Sequence, residues 1–123
     1  MNEFRILVCG GRDYADAAKV NATLDNIVAN IQLTASNQSV RLIHGAARGA
    51  DSLAAAWASA RGLAATAYPA KWDIHGRSAG FVRNKQMLDE GQPHLVVAFP
   101  GGAGTAMMIR IARSAGVTVK EVI

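Results

Sequence analysis

Leu95-Val96-Val97-Ala98-Phe99-Pro100-Gly101-Gly102-Ala103-Gly104-Thr105 joins the clearest apolar run of the chain to its densest glycine cluster. The run is apolar at consecutive positions instead of alternate ones, which predicts a strand over His94–Phe99 buried on both faces. A helix to about Ala115, closed by Gly116, is expected to follow the glycines. A buried strand that passes through glycines into a helix is the repeating unit of a parallel sheet, and the rest of the chain can be tested for the same unit.

It recurs in both directions. Val117–Val122 predicts an edge strand. Upstream, Arg5–Cys9 (R-I-L-V-C) ends at Gly10-Gly11, and Val40–His44 (V-R-L-I-H) ends at Gly45-Ala46-Ala47-Arg48-Gly49. Asp13 or Asp16 can cap a first helix reaching about Ile31, with Val20, Leu24, Ile27, Val28 and Ile31 at helical spacing. Leu33–Ser39 is expected as an exposed loop. A second helix is expected over about Ala50–Arg61, starting near Asp51 and stopping at Gly62. Ala64–Tyr68 is a weaker third strand, and Ala70–Arg77 a loop containing Trp72 and His75. Ser78 can cap a third helix to about Glu90, ended by Gly91. Strands that are apolar throughout, alternating with helices, predict an α/β Rossmann-like fold. It is a doubly wound parallel sheet of about five strands, order 3-2-1-4-5, with helices on both faces. Ligands of such sheets bind beyond the carboxyl ends of the strands where the order reverses, here between the first and fourth.

At 123 residues the chain predicts a single domain, 1–123, that buries roughly two-thirds of its surface without a disulfide or structural metal. Its one cysteine, Cys9, excludes an intramolecular disulfide and implies a reducing, cytoplasmic setting; a small core thiol fits it better than a nucleophile. No apolar run approaches the roughly 18 residues of a membrane span. Met1–Phe4 runs straight into a strand-like segment, without the stretches of a signal peptide. Secreted, membrane and disordered classes are excluded. Of the residues, 24 are alanine, so helices are expected to pack closely, with Trp57 in the core.

Three glycine clusters converge on the predicted binding edge, and each carries residues suited to an anion. Gly101, Gly102 and Gly104 let backbone N–H groups approach a ligand at a helix N-terminus, and Thr105 can add a hydroxyl or cap the helix. After Gly10 and Gly11, Arg12 suits a phosphate, and Asp13 either accepts from a ribose hydroxyl or caps the first helix. Between Gly45 and Gly49 lies Arg48, and Asp51 is again a cap or a ligand contact. Arg83 and Asn84 can reach the crevice from the third helix, where Arg83 would clamp phosphate or carboxylate. Trp72 either stacks on a base or packs as a lid. Neither G-x-G-x-x-G nor G-x-x-x-x-G-K-[ST] occurs. His44, His75 and His94 lack ligand spacing, so no metal and no cofactor are expected.

The spread C-G-G-R-D-Y (Cys9–Tyr14), H-G-A-A-R-G-A-D (His44–Asp51), P-A-x-W (Pro69–Trp72), G-R-x-A-G-x-x-R-N (Gly76–Asn84) and A-F-P-G-G-A-G-T (Ala98–Thr105) resembles the YspA-type branch of the SLOG superfamily. That resemblance implies a Rossmann-like domain that binds or senses a nucleotide or nucleotide-derived ligand. The superfamily also holds the Lonely Guy phosphoribohydrolases and the DNA-processing protein DprA. Lonely Guy enzymes resemble the chain at Arg83 and Pro100–Thr105, but their motif continues P-G-G-x-G-T-x-E-E, where this sequence has Met107 and Met108. A thioether cannot exchange a proton or stabilise an oxocarbenium ion. Hydrolysis of an N-glycosidic bond would need a replacement carboxylate, for which Asp13, Asp51 and Asp73 are the candidates, with Arg83 on the phosphate. The resemblance also implies a homodimer.

Net charge decides between a small ligand and a polymer. The formal charge is +4 and the pI about 9.7, which alone would suggest nucleic acid. Strand binding needs several aromatic platforms, and only Tyr14 and Trp72 offer themselves. Arg12, Arg48, Arg77 and Arg83 all fall at or over the glycine loops, and they account for the whole excess. The basic charge is local to a phosphate pocket. A small nucleotide-like ligand is expected; a DprA-like nucleic-acid partner and a membrane are not.

Overall fold

The computed structural model describes residues 3–123; Met1 and Asn2, on which part of the expectation about the N-terminus rests, lie outside the described residues. Five strands, β1 (Glu3–Cys9), β2 (Ser39–His44), β3 (Ala64–Ala67), β4 (Leu95–Ala98) and β5 (Thr118–Glu121), form a parallel sheet. Its order is β3-β2-β1-β4-β5, the doubly wound arrangement expected. Between strands run α1 (Ala17–Thr34), α2 (Ala50–Ala60), α3 (Trp72–His75), α4 (Ala79–Gly91) and α5 (Ala103–Ser114).

The uninterrupted apolar strands follow from two cores. Ile6 and Val8 of β1 face one way, with Leu42, Val97 and Phe99, against Val20 and Leu24 of α1 and Ala54 and Trp57 of α2. Leu7 and Cys9 face the other way, with Ile43 and Val96, against Met87 and Leu88 of α4 and Met108 and Ala112 of α5. Successive side chains of one strand point to opposite faces, so a sheet covered on both must be apolar at every position. The outer strands β3 and β5 are largely exposed, which is why their sequences are the least apolar.

Local details depart from expectation in four places. The first helix continues to Thr34, so Leu33, 83% exposed, is the end of a helix and not the start of a loop. Of the two caps expected for it, Asp16 serves, accepting from Lys19 N at 3.0 Å. The segment 70–77 is not all loop. It holds the single turn α3 and a 3₁₀ turn, Gly76–Ser78, both too short for a 3.6-residue period to show in sequence. Ser78 does not cap α4. The 3₁₀ turn feeds directly into the helix, and Ser78 Oγ instead donates to the His75 carbonyl at 2.9 Å. Gly62 and Gly116 do take the left-handed conformation expected beyond helix ends, whereas after α4 it is Gln92, one residue past Gly91, that does so.

Candidate functional site

The β1–α1, β2–α2 and β4–α5 loops meet at the carboxyl edge, where the strand order reverses between β1 and β4. They are joined through backbone. Gly11 N donates to the Pro100 carbonyl at 2.9 Å, and the Gly11 carbonyl accepts from Ala50 N at 3.2 Å. Glycine is required where they touch. At Gly49, with φ +81°, an added Cβ would run into the Gly11 and Arg12 backbone; at Gly101 it would meet Thr105 Oγ1 and Gly11 N. Gly102 and Gly104 are different, because nothing lies within 4 Å of a Cβ built there. These two open onto solvent space.

That space is a cleft of about 390 Å³. Its floor is Cys9, Gly10, Gly11, Gly102, Gly104 and Thr105, and its side is Arg12, Ala47 and Asp51. A cover comes from α3, the 3₁₀ turn and α4 with Trp72, Arg77, Gly80, Phe81, Arg83, Asn84 and Met87. No side chain caps the N-terminus of α5, so its first amides are available to an anion beside the two open glycines. Three arginines stand against one carboxylate, Asp51, among the described lining residues.

Asp51 is spoken for by the loop. Its Oδ2 accepts from Gly45 N at 3.0 Å and Ala47 N at 3.3 Å, so the carboxylate shapes the β2–α2 turn instead of capping α2 from the N-cap position, which is Gly49. Burial pushes its carboxyl above the usual range, against the Ala47 and Gly45 N–H groups and the nearby Arg83. Burial pushes the His44 imidazole below its ordinary value, against nearby Asp51, and its Nδ1 accepts from Ala46 N at 3.0 Å, supporting that residue at φ +57°. Arg83 donates from Nη1 to the Gly45 carbonyl and from Nε to Asn84 Oδ1 at 3.0 Å. Burial pushes its guanidinium down, Asp51 opposes that, and Arg12 adds to it. Asn84, itself buried, donates from Nδ2 to the Gly104 carbonyl at 3.1 Å. One helix therefore ties two of the loops together. The Arg12 guanidinium lies 5.0 Å over the Trp72 ring, so the indole is already stacked, on a cation.

Of the residues singled out in sequence, the cleft brings together Gly10, Gly11, Arg12, Asp51, Trp72, Arg83, Asn84, Gly102, Gly104 and Thr105. Gly49 and Gly101 pack behind it, while Gly45 and Arg48 border a neighbouring concavity. Asp13 stands apart, its side chain 97% exposed with a 3.5 Å contact to Arg48, and Asp73 is exposed on α3. Met108 is a core residue and Met107 lies 3.7 Å from Asn84 Nδ2; neither lines the cleft. Gly80, Phe81 and Met87 were not anticipated. They share a stripe of α4 with Asn84, a spacing of three and four that marks one face once one member is placed.

A family model described as the YspA, cpYpsA-related SLOG family matches residues 4–75, more than half of the chain. The chain belongs to this family. Across 122 residues this SLOG chain is also 34% identical to the Gene 61 protein of Mycobacterium phage D29, covering 94% of the chain and 93% of that protein. SLOG membership suggests nucleotide-related binding or processing. No helix among the described residues of the SLOG chain is long and apolar enough to cross a membrane.

Proposed function

We propose that the chain is a cytoplasmic binding or sensing module that holds a nucleotide or nucleotide-derived small molecule in the cleft at the β1–β4 switch point. The phosphate lies against the uncapped N-terminus of α5, beside Gly102, Gly104 and Thr105, with Arg12, Arg77 and Arg83 supplying charge. Trp72 and Phe81, 48% and 46% exposed, offer the apolar surface for a base. The observation that carries this reading is the pair of glycines left open beneath three arginines at an uncapped helix start. Calorimetry with a panel of nucleotides tests it. One member is expected to bind and to be recovered unchanged, with Arg77→Ala weakening it about tenfold, near 1.4 kcal/mol. The Arg77 side chain makes no hydrogen bond or ion pair among the described residues, so its loss leaves the fold in place. Absence of binding by every nucleotide would overturn the reading.

Asp51 favours a second reading, hydrolysis of a nucleotide N-glycosidic bond. It is the carboxylate among the described residues that line the cleft. Release of free base from a nucleoside monophosphate, lost in Asp51→Asn, would establish this chemistry in place of simple binding.

A further inference from the structure

Beside the first cleft lies a second concavity of about 300 Å³, bordered by Arg12, Arg48, Arg83, Trp72 and Pro69, with glycine and alanine completing it. Arg12, Ala47, Trp72 and Arg83 line both spaces, so the two adjoin across a wall that carries two cations.

Three properties of this second space restrict what fills it. It presents three arginines and no carboxylate among its described lining residues. Arg48 meets Asp13 only at 3.5 Å, with side chains 75% and 97% exposed, a pair that contributes little and leaves the cation available. Its lining also includes no Asn, Gln, Ser, Thr, Asp or Glu, so no such side chain can accept from a sugar hydroxyl or read a base edge. Phosphate oxygens, which only accept, match a lining whose polar side chains are arginines and one indole. Size points the same way. Each space alone is near the lower end of the roughly 300–1,000 Å³ typical of ligand pockets, and together they take a molecule longer than a mononucleotide.

Resting on the nucleotide reading of the first cleft, we infer that the ligand is a nucleoside polyphosphate. Its phosphate chain passes between Arg12 and Arg83, and its distal phosphate meets Arg48 in the second space.

Calorimetry of the full chain with the four common nucleoside 5′-monophosphates and the corresponding triphosphates, magnesium-free and at physiological ionic strength, tests this. The triphosphate of the preferred base is expected to bind at least about tenfold tighter than its monophosphate. Arg48→Ala is expected to collapse that ratio to below about threefold, while Arg110→Ala, which removes the same charge from exposed α5 surface outside both spaces, holds it within about twofold. Equal affinities for the two classes, a ratio unchanged in Arg48→Ala, or an equal collapse in Arg110→Ala would overturn the inference and leave nucleotide binding standing. Failure of both classes to bind would overturn the nucleotide reading and this inference with it.

Discussion

Asn84 holds Gly104: the buried amide on α4 donates to the carbonyl in the first turn of α5 at 3.1 Å, while its oxygen accepts from Arg83 Nε at 3.0 Å. One side chain thus sets the position of a loop that offers free amides and the direction of a guanidinium in the same cleft. Asn84→Ala is expected to cost about 1 kcal/mol, because the part-buried Gly104 carbonyl and an arginine N–H lose their partner. Thermal denaturation would show this as a midpoint several degrees lower. Nucleotide affinity, measured where the variant is still folded, is expected to fall as well. A variant with wild-type midpoint and affinity would show that the bonds position nothing.

Two glycines of the same edge are expected to respond with opposite signs. Gly49→Ala forces a Cβ into the Gly11 and Arg12 backbone at φ +81°, and a loss of more than about 1 kcal/mol is expected. Gly104→Ala places a methyl in open space within a helix and is expected to raise stability by about 0.5–1 kcal/mol. Gly104 also lines the cleft, so binding is expected to weaken while stability rises. Chemical denaturation beside calorimetry separates the two, and a destabilised Gly104→Ala would contradict the open geometry.

Cys9 lies at the cleft floor, but burial, helped by Asp51, pushes its thiol from the ordinary 9.0 up to about 12. Native protein at mildly alkaline pH is expected to resist iodoacetamide that labels the denatured chain within minutes, since the thiolate is the reactive form. The raised value also means that the folded state holds the proton more tightly than the unfolded state. Its contribution to stability is present below about pH 9 and is lost as pH rises toward about 12. Rapid native labelling would place the sulfur at the surface.

Asp25 on α1 gathers Arg61 Nε and Nη2 at 2.8 and 2.7 Å and Trp57 Nε1 at 2.8 Å. Arg61 first, then Trp57, hold its carboxyl below the ordinary 3.8. A depressed carboxyl stabilises the fold above pH 3.8 and ceases to do so as pH falls through its folded value. The midpoint difference between wild type and Asp25→Ala is therefore expected to shrink on acidification below pH 3.8. A gap constant with pH would remove the charge from the account.

The order of elements was legible because a sheet covered on both faces leaves its strands apolar without interruption, as at Ile6–Cys9 and Leu95–Phe99. The convergence of the glycine loops followed from topology. What stayed hidden was direction. Asp16 and Asp51 both stand near helix starts, yet the first caps a helix and the second turns back to bind the Gly45 and Ala47 amides. Residue type is the same in both cases; the path of the preceding loop decides. α3, a single turn, is too short to carry a period, and Phe81 joins the cleft because Gly80 and Asn84 on its helix face are turned inward.

The three loops also meet one another directly through peptide groups, from Gly11 to Pro100 and to Ala50. A joint made of main chain is blind to the chemistry carried above it. Any sequence that keeps the small residues at Gly10, Gly49 and Gly101 can keep this footing, while Arg12, Arg48, Arg77, Trp72 and Phe81 are exchanged for others. The shape of the socket and the choice of its occupant are thereby written in separate sets of positions, and recognition can be rewritten without rebuilding the protein.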